Sequence, residues 1–443
     1  MPPSVNYLPA TPVSFAVPQS IDVRVVRALT RAGYNAEREA VTLIAGSEAP
    51  METVSRVIEA TPSETLTISA ADVSATLDNP SVSTGTTAVS SGESAAASPV
   101  ETEGSSGRRR NPAQPSVRGD ITGESTGTGS YTDFVSLFRD RYDRLASMLR
   151  GRVNHRPTDA LETMPRGSEV GLIGLVTDVR STKNGHFLIE LEDTNGTFPA
   201  LVMDDRDFAA SVEDILRDEA LAVSGTLSDD GGIIFVDSLH FPDVPRTFEP
   251  STADRHVQAA LISDVHVGSQ EFLEGAWSRF ADWLHTPEAE SVEYLLIAGD
   301  MVEGVGVYPD QDEELTIVDI FEQYEAFAEH LKAVPGDLEI VMIPGNHDAV
   351  RLAEPQPGFD TELASIMSAH DPRIVGNPST VDLEGVSILM YHGVSLDEFV
   401  AELPAATYDR PESAMAHYLR KRHLAPKFGG KMRMAPEKRD YLV

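Results

Sequence analysis

The chain has 443 residues, no cysteine and a formal net charge of −35, from 70 acidic and 35 basic residues. That length accommodates two or three domains with real cores, and the lack of thiols excludes disulfide frameworks and thiolate metal sites, so a metal would need His, Asp, Glu or Asn. No run of about 18 apolar residues occurs, and the N-terminus lacks the basic start and apolar stretch of a signal peptide, so the expectation is a soluble cytoplasmic protein without membrane contact. The acid is spread through every segment, which fits a chain kept soluble in high salt, where repulsion is screened. The alternative is an acidic protein that avoids nucleic acid. Net charge therefore leaves a nucleic-acid substrate open.

Residues 1–60 read as a small helical domain, a docking module. Val25, Val26, Leu29 and Ala32, then Val41 and Ile44, then Val54, Val57 and Ile58 recur at helical spacing. Residues 61–130 are rich in Ser, Thr, Gly, Ala and Glu, and they read as a disordered linker, because such a segment buries too little apolar surface to offset ordering entropy. Within it Arg108, Arg109 and Arg110 form either a basic contact or a solvated charge run. A connecting helix is predicted over 131–157. Ser130 and Asp133 suit its start, and Phe134, Leu137, Phe138, Tyr142, Leu145 and Leu149 form its apolar face.

Residues 168–245 alternate as strands. Val170 to Val179, Phe187 to Leu191, Phe198 to Met203, Leu221 to Leu227 and Ile233 to Leu239 are separated by turns such as Asn184-Gly185 and Gly231-Gly232. Five strands with a helical stretch near 209–216 fit an OB-type barrel or another small barrel. Its strands carry few aromatics and many acids, which favours scaffolding over single-strand binding. From residue 254 onward, strand and helix alternate as in an α/β domain. The strands are Ala259 to Ile262, Tyr294 to Ala298, Leu338 to Ile343 and Val386 to Tyr391.

Each of these apolar runs ends in chemistry: Asp264-Val-His266, Gly299-Asp300, Gly345-Asn-His-Asp348 and His392-Gly393. Taken singly they are ordinary, since an Asp after a strand caps a helix and Gly-Asn favours a turn. Together, at strand ends of one sheet, they would share the crevice at its carboxyl edge. Oxygen and imidazole donors of this mix suit Mn²⁺, Fe²⁺ or Zn²⁺, and two such ions about 3.5–4 Å apart clamp a phosphoryl group. Asp300 could bridge both ions. His347 could act as the general acid, with Asp348 orienting its imidazole. His285, His330 and His370 read as surface groups.

This order of motifs resembles the calcineurin-like metallophosphoesterase superfamily. With the barrel upstream, and Arg422-His-Leu-Ala-Pro426 and Asp440-Tyr-Leu-Val443 downstream, residues 131–443 are similar to the small subunits of the archaeal D-family DNA polymerases. The resemblance implies a 3′→5′ proofreading exonuclease with two divalent ions, manganese first and Mg²⁺, Fe²⁺ or Zn²⁺ also compatible. The implied ligands are Asp264 and His266 on one ion, Asp300 bridging, and Asn346 and His392 on the other, with His347 as catalytic acid. The implied partners are a large polymerising subunit, DNA and, through the holoenzyme, the sliding clamp. A halophilic archaeal source fits so acidic a chain.

The family's distal Gly-His-x-His is missing before Val443, which reads as a truncated gene product with one imidazole fewer on each ion and weakened activity. Between 417 and 439, His417, Arg420, Lys421, Arg422, His423, Lys427, Lys431, Arg433, Lys438 and Arg439 form a basic cluster. It could meet DNA phosphates, meet an acidic face of the large subunit, or simply cover a helix. The rival functions are a non-catalytic assembly subunit and a free-standing phosphodiesterase.

Overall fold

The computed structural model of the protein describes residues 21–32, 34–47, 49–61, 67–77, 110–126, 128–368, 371–429 and 434–443. They fall into two compact units. One takes the described residues up to Asn111 with 273–292 and 329–338. There the helices Ile21–Arg31, Arg38–Ala45, Pro50–Ala60 and Ala70–Leu77 share a core of Val25, Leu29, Val41, Ile44, Val54, Val57, Ile68 and Val73. Strands β1 (Asn35–Ala36) and β2 (Thr67–Ile68) pair in parallel. Ile68 and Val73 carry this core past residue 61, where a linker was expected.

Arg110 is not part of a solvated run. Its guanidinium is buried, donates to the carbonyls of Leu284, Ala289 and Val292, and pairs with Asp337 at 2.9 Å. Those acceptors satisfy most of its five donors, which is what allows an arginine inside. Arg108 and Arg109, and the expected linker between 78 and 109, lie outside the described residues. His285 and His330 are half-buried rather than at the surface: His285 Nε2 lies 3.1 Å from the Ala333 carbonyl, and His330 packs edge-on against Trp277. His370 lies outside the described residues.

The other unit holds residues 112–272, 293–328 and 339–443. Its first strand, β3 (Ser116–Arg118), also lies where a linker was expected. This stretch has little apolar content, but Ile121 is fully buried and polar ties hold the rest. Asp120 accepts from the Gly376 amide, Thr122 from Gly358, and Glu437 from Ser125 and Thr126. Its order comes from these tertiary bonds, which composition does not reveal.

Strands β4 (Glu169–Ser181), β5 (Phe187–Glu192), β6 (Thr197–Val202), β7 (Ala220–Leu227) and β8 (Ile234–His240) close a barrel in the order β4-β5-β6-β8-β7. β6 and β8 run parallel and the other neighbours antiparallel. Leu172, Val176, Ile189, Leu191, Ala200, Val202, Val223 and Val236 fill its interior. The helix predicted over 131–157 begins at a Ser130–Asp133 capping box and ends sooner, as Tyr131–Leu149, with Arg150 at its C-cap before Gly151. Tyr142, Leu145, Ala146 and Leu149 pack on Ile173, Leu175, Ala220 and Ala222 of the barrel.

Beyond the barrel, β9 (Gln258–Ile262), β10 (Val292–Ala298), β11 (Glu339–Ile343) and β12 (Arg373–Ile374) form one sheet in the order β12-β11-β10-β9, with β10, β11 and β12 parallel. β13 (Ser379–Leu383) and β14 (Val386–Met390) make an antiparallel hairpin about Glu384-Gly385, and β3 pairs with the free side of β13. Two sheets therefore face each other, with Tyr294, Leu296, Val341 and Ile343 meeting Val381, Leu383 and Met390. This corrects the single-sheet expectation: a tight hairpin enforces antiparallel pairing, so His392 leaves the second sheet. Asp440–Val443 is a turn rather than a strand. Asp440 is buried, 2.7 Å from Arg141 and 2.9 Å from His423, and its carboxylate accepts from the Leu442 amide. Among the described residues no helix is long and apolar enough to cross a membrane.

Candidate metal centre

The loops after β9 and β10 are held together by backbone. The Asp264 amide donates to the Gly299 carbonyl (3.0 Å) and the His266 amide to the Asp300 carbonyl (3.1 Å). Asp264, His266 and Asp300 all have left-handed backbones, with φ of 55°, 53° and 52°. Such a conformation costs about 1–2 kcal/mol per non-glycine residue and clusters where function requires it. Two glycines let the loops close. A Cβ on Gly299 would sit 2.5 Å from His392 Nδ1, and one on Gly345 would sit 2.6 Å from the Asp300 amide nitrogen.

The side chains converge. Asp300 Oδ2 lies 3.6 Å from His266 Nε2 and 3.2 Å from His392 Nε2. His266 Nε2 is 3.9 Å from Asp264 Oδ1, and His392 Nε2 is 3.1 Å from Asn346 Oδ1. Two groups, His266–Asp300–His347 and Asp264–Asp300–His392, each bring their donor atoms within 4.8 Å of one another. Asp300 belongs to both, as a bridging carboxylate must. All six residues predicted from sequence thus meet in one place, with Asp264 reaching towards both groups. Nδ1 of His392 donates to the Ala298 carbonyl at 2.8 Å, which leaves Nε2 as the atom available to a cation.

Electrostatics match. His266 holds the Asp264 carboxyl down at about 2, against the effect of burial. Burial disfavours charge on His392, but the hydrogen bond and charge of Asp300 outweigh it and lift the imidazole to about 9. Burial opposes ionisation of Asp300, and His392 overcomes it to keep the carboxylate charged. Ionised carboxylates, an amide oxygen and imidazoles, with Asp300 buried and Asp264 open to solvent, fit divalent cations such as Mn²⁺, Fe²⁺ or Zn²⁺, a cation taking the place of the proton on His392.

Asp348 does not orient the His347 ring. Its Oδ2 accepts from the Asp300 and Gly345 amides and its Oδ1 from Tyr324, so it fixes the backbone of two loops. Burial pushes its own carboxyl up to about 6. The His347 ring is anchored by the Glu303 carbonyl, 2.7 Å from Nδ1. Glu303 escaped the sequence reading: it is buried, with its carboxylate 2.9 Å from His266 Nδ1. Its position three residues after Asp300, before Gly304, was the only available signal.

The basic cluster divides. Lys421 is buried with its ammonium 2.6 Å from Glu219, which also pairs with His417, so it cannot reach phosphate. Lys427 is held by Glu398 and Glu402. His423 is buried against Asp440. Arg420 is exposed and stacks over Phe241, and Arg422 is half-buried. Lys431 and Arg433 lie outside the described residues.

Residues 258–434 match the family model described as calcineurin-like phosphoesterase, which is the class this fold and metal centre define. Over 441 residues the chain is 61% identical to the DNA polymerase II small subunit of Halobacterium salinarum, covering 96% of this chain and 87% of that one. It is 40% identical over 332 residues to the protein of that name from Archaeoglobus fulgidus, covering 73% of this chain and 66% of that one. For that of Methanocaldococcus jannaschii the figures are 38% over 335 residues, covering 73% and 56%. The chain belongs to the DNA polymerase II small subunit family.

Proposed function

We propose that this chain is the 3′→5′ proofreading exonuclease subunit of a two-subunit archaeal replicative polymerase, partnered by a large polymerising subunit, DNA and, through the holoenzyme, the sliding clamp. The observation that carries this reading is the convergence of Asp264, His266, Asp300, Asn346, His347 and His392 around one shared carboxylate. Asp264, His266, Asp300, Asn346 and His392 would hold two cations, manganese first. Those cations would supply phosphoryl polarisation and a water nucleophile at neutral pH. Hydrolysis forms a bond from the water oxygen to phosphorus and breaks the bond from phosphorus to the 3′ oxygen. The leaving oxygen needs a proton. With Nδ1 of His347 committed to the Glu303 carbonyl, Nε2 is left to deliver it. The five-stranded barrel is read as an OB-type scaffold, and the helices of 21–77 as a docking domain. High acidity is read as halophilic adaptation.

The test is release of the terminal nucleotide from a 5′-labelled strand with a mismatched 3′ end, in Mn²⁺, by the chain assembled with its large subunit. Asp300→Ala and His347→Ala should abolish it. Retained cleavage in both variants would overturn the reading.

A further inference from the structure

Behind the loops that bear Asn346 and His392 lie two carboxamides, Gln356 and Asn377, both 0% exposed. Their backbones pair reciprocally, amide to carbonyl, at 2.8 Å in each direction. Their side chains run in series. Gln356 Nε2 donates to the Gly345 carbonyl (3.1 Å) and to the Arg351 carbonyl (3.0 Å). Asn377 Nδ2 donates to Gln356 Oε1 (2.7 Å), and Asn377 Oδ1 accepts from the His392 amide (3.0 Å). Only this orientation satisfies both groups, because a flipped Asn377 would set its NH₂ against the His392 N–H.

The path closes on itself. It runs from the Gly345 carbonyl through Gln356 and Asn377 to the His392 backbone, and then through His392 Nε2 to Asn346 Oδ1, one residue from its start. Amides in series polarise one another, and a buried amide left without its partner loses far more than the bond contributes. The pair is itself braced. Asp120 accepts from the amide of Gly376, and a Cβ on Gly376 would lie 2.7 Å from the Gln356 carbonyl oxygen, so the backbones are in close contact. Among the described residues, Gln356 and Asn377 make no hydrogen bond to His266 or His347, which with Asp300 form the other group of donors.

We propose that Gln356 and Asn377 are positioning residues that lock the Asn346 and His392 loops in register, setting one of the two cation positions and not the other. The inference rests on the metal-centre reading above. A buried polar pair serving general stability would weaken both positions alike, whereas this pair acts on one.

The experiment is Mn²⁺ titration of the 443-residue chain, followed by electron paramagnetic resonance and calorimetry. Gln356→Met keeps the volume and removes the relay. Asn377→Ser is a second, smaller variant in case the first folds poorly, and thermal melting reports folding for each. The expected result is a loss of about 10–100-fold at one Mn²⁺ position, with the other within about twofold of wild type. The double variant should be no worse than the more severe single variant, because both break one chain. Equal weakening at both positions, or none at either, overturns the inference while leaving the metal centre standing. A wild-type chain that takes up no Mn²⁺ at millimolar concentration removes the metal-centre reading and the inference with it.

Discussion

Gly345→Ala is a direct probe of how tightly the centre is packed. Gly345 needs no left-handed backbone, so alanine brings only a methyl group and no dihedral strain. That methyl would contact Asp300 Oδ1 and lie 2.9 Å from Asp300 Cγ and 2.6 Å from its amide nitrogen. Ordinary carbon–carbon contacts are about 3.5–4.0 Å, so the carboxylate must retreat by about 1 Å. It has little room, because Asp348 holds its amide at 2.9 Å and His392 flanks Oδ2 at 3.2 Å. A misplacement of about 1 Å costs on the order of 100-fold in rate, or about 2.7 kcal/mol of barrier. Overpacking should lower stability by about 1–3 kcal/mol as well. Single-turnover excision with Mn²⁺, measured beside thermal melting, gives both numbers. Gly151→Ala, where a Cβ meets nothing within 4 Å, is the control. Excision within about threefold of wild type, with unchanged melting, would refute the steric argument.

Other outcomes follow from buried charge. Burial raises the Glu354 carboxyl to about 7, only partly offset by Tyr391. The folded state therefore binds its proton more tightly than the unfolded chain, and this stabilisation is complete below about pH 4.3 and is lost as pH rises through 7. Glu354→Gln should remove a loss of about 3 kcal/mol between pH 5 and 8 in urea unfolding; parallel wild-type and variant profiles would contradict this. Asp440 behaves oppositely: burial disfavours its charge, but Arg141 and His423 hold the carboxyl well below its usual range. Its contribution is present above about pH 4 and lost in acid. Asp440→Asn leaves Arg141 buried without a counter-charge and should cost about 3–5 kcal/mol, read as lowered melting at pH 7. Lys421→Ala should likewise destabilise by leaving the buried Glu219 with His417 alone, whereas Arg420→Ala should leave melting unchanged and reduce the salt slope of DNA binding by about 1. Anisotropy titrations at several salt concentrations separate the two effects.

Much of the centre was legible because four of its elements follow the same rule, an apolar run ending in Asp, Asn or His. The barrel strands were legible from their alternation, and observed limits such as Phe187–Glu192 and Ala220–Leu227 lie within a residue of the reading. Three features were hidden. The sheet to which His392 belongs depends on a hairpin at Glu384-Gly385, and apolar runs alone do not distinguish hairpin from crossover. The stretch around Ser116–Arg118 has a linker's composition and acquires order only from partners far along the chain. Glu303, Gln356 and Asn377 act through backbone groups, whose positions are set by topology rather than by local pattern.

Strand β3 precedes the barrel in sequence, yet it completes a sheet whose other members follow it. Arg118 is partnered by Thr380, about 260 residues later. On a ribosome the barrel can close from consecutive strands well before that partner emerges, so β3 must wait as an unpaired edge. Trimming the gene at the barrel's end would then yield a phosphoesterase-domain fragment with the outer edge of β13 bare, and a sound fragment boundary lies before Arg110, which keeps its bonds to Leu284, Val292 and Asp337.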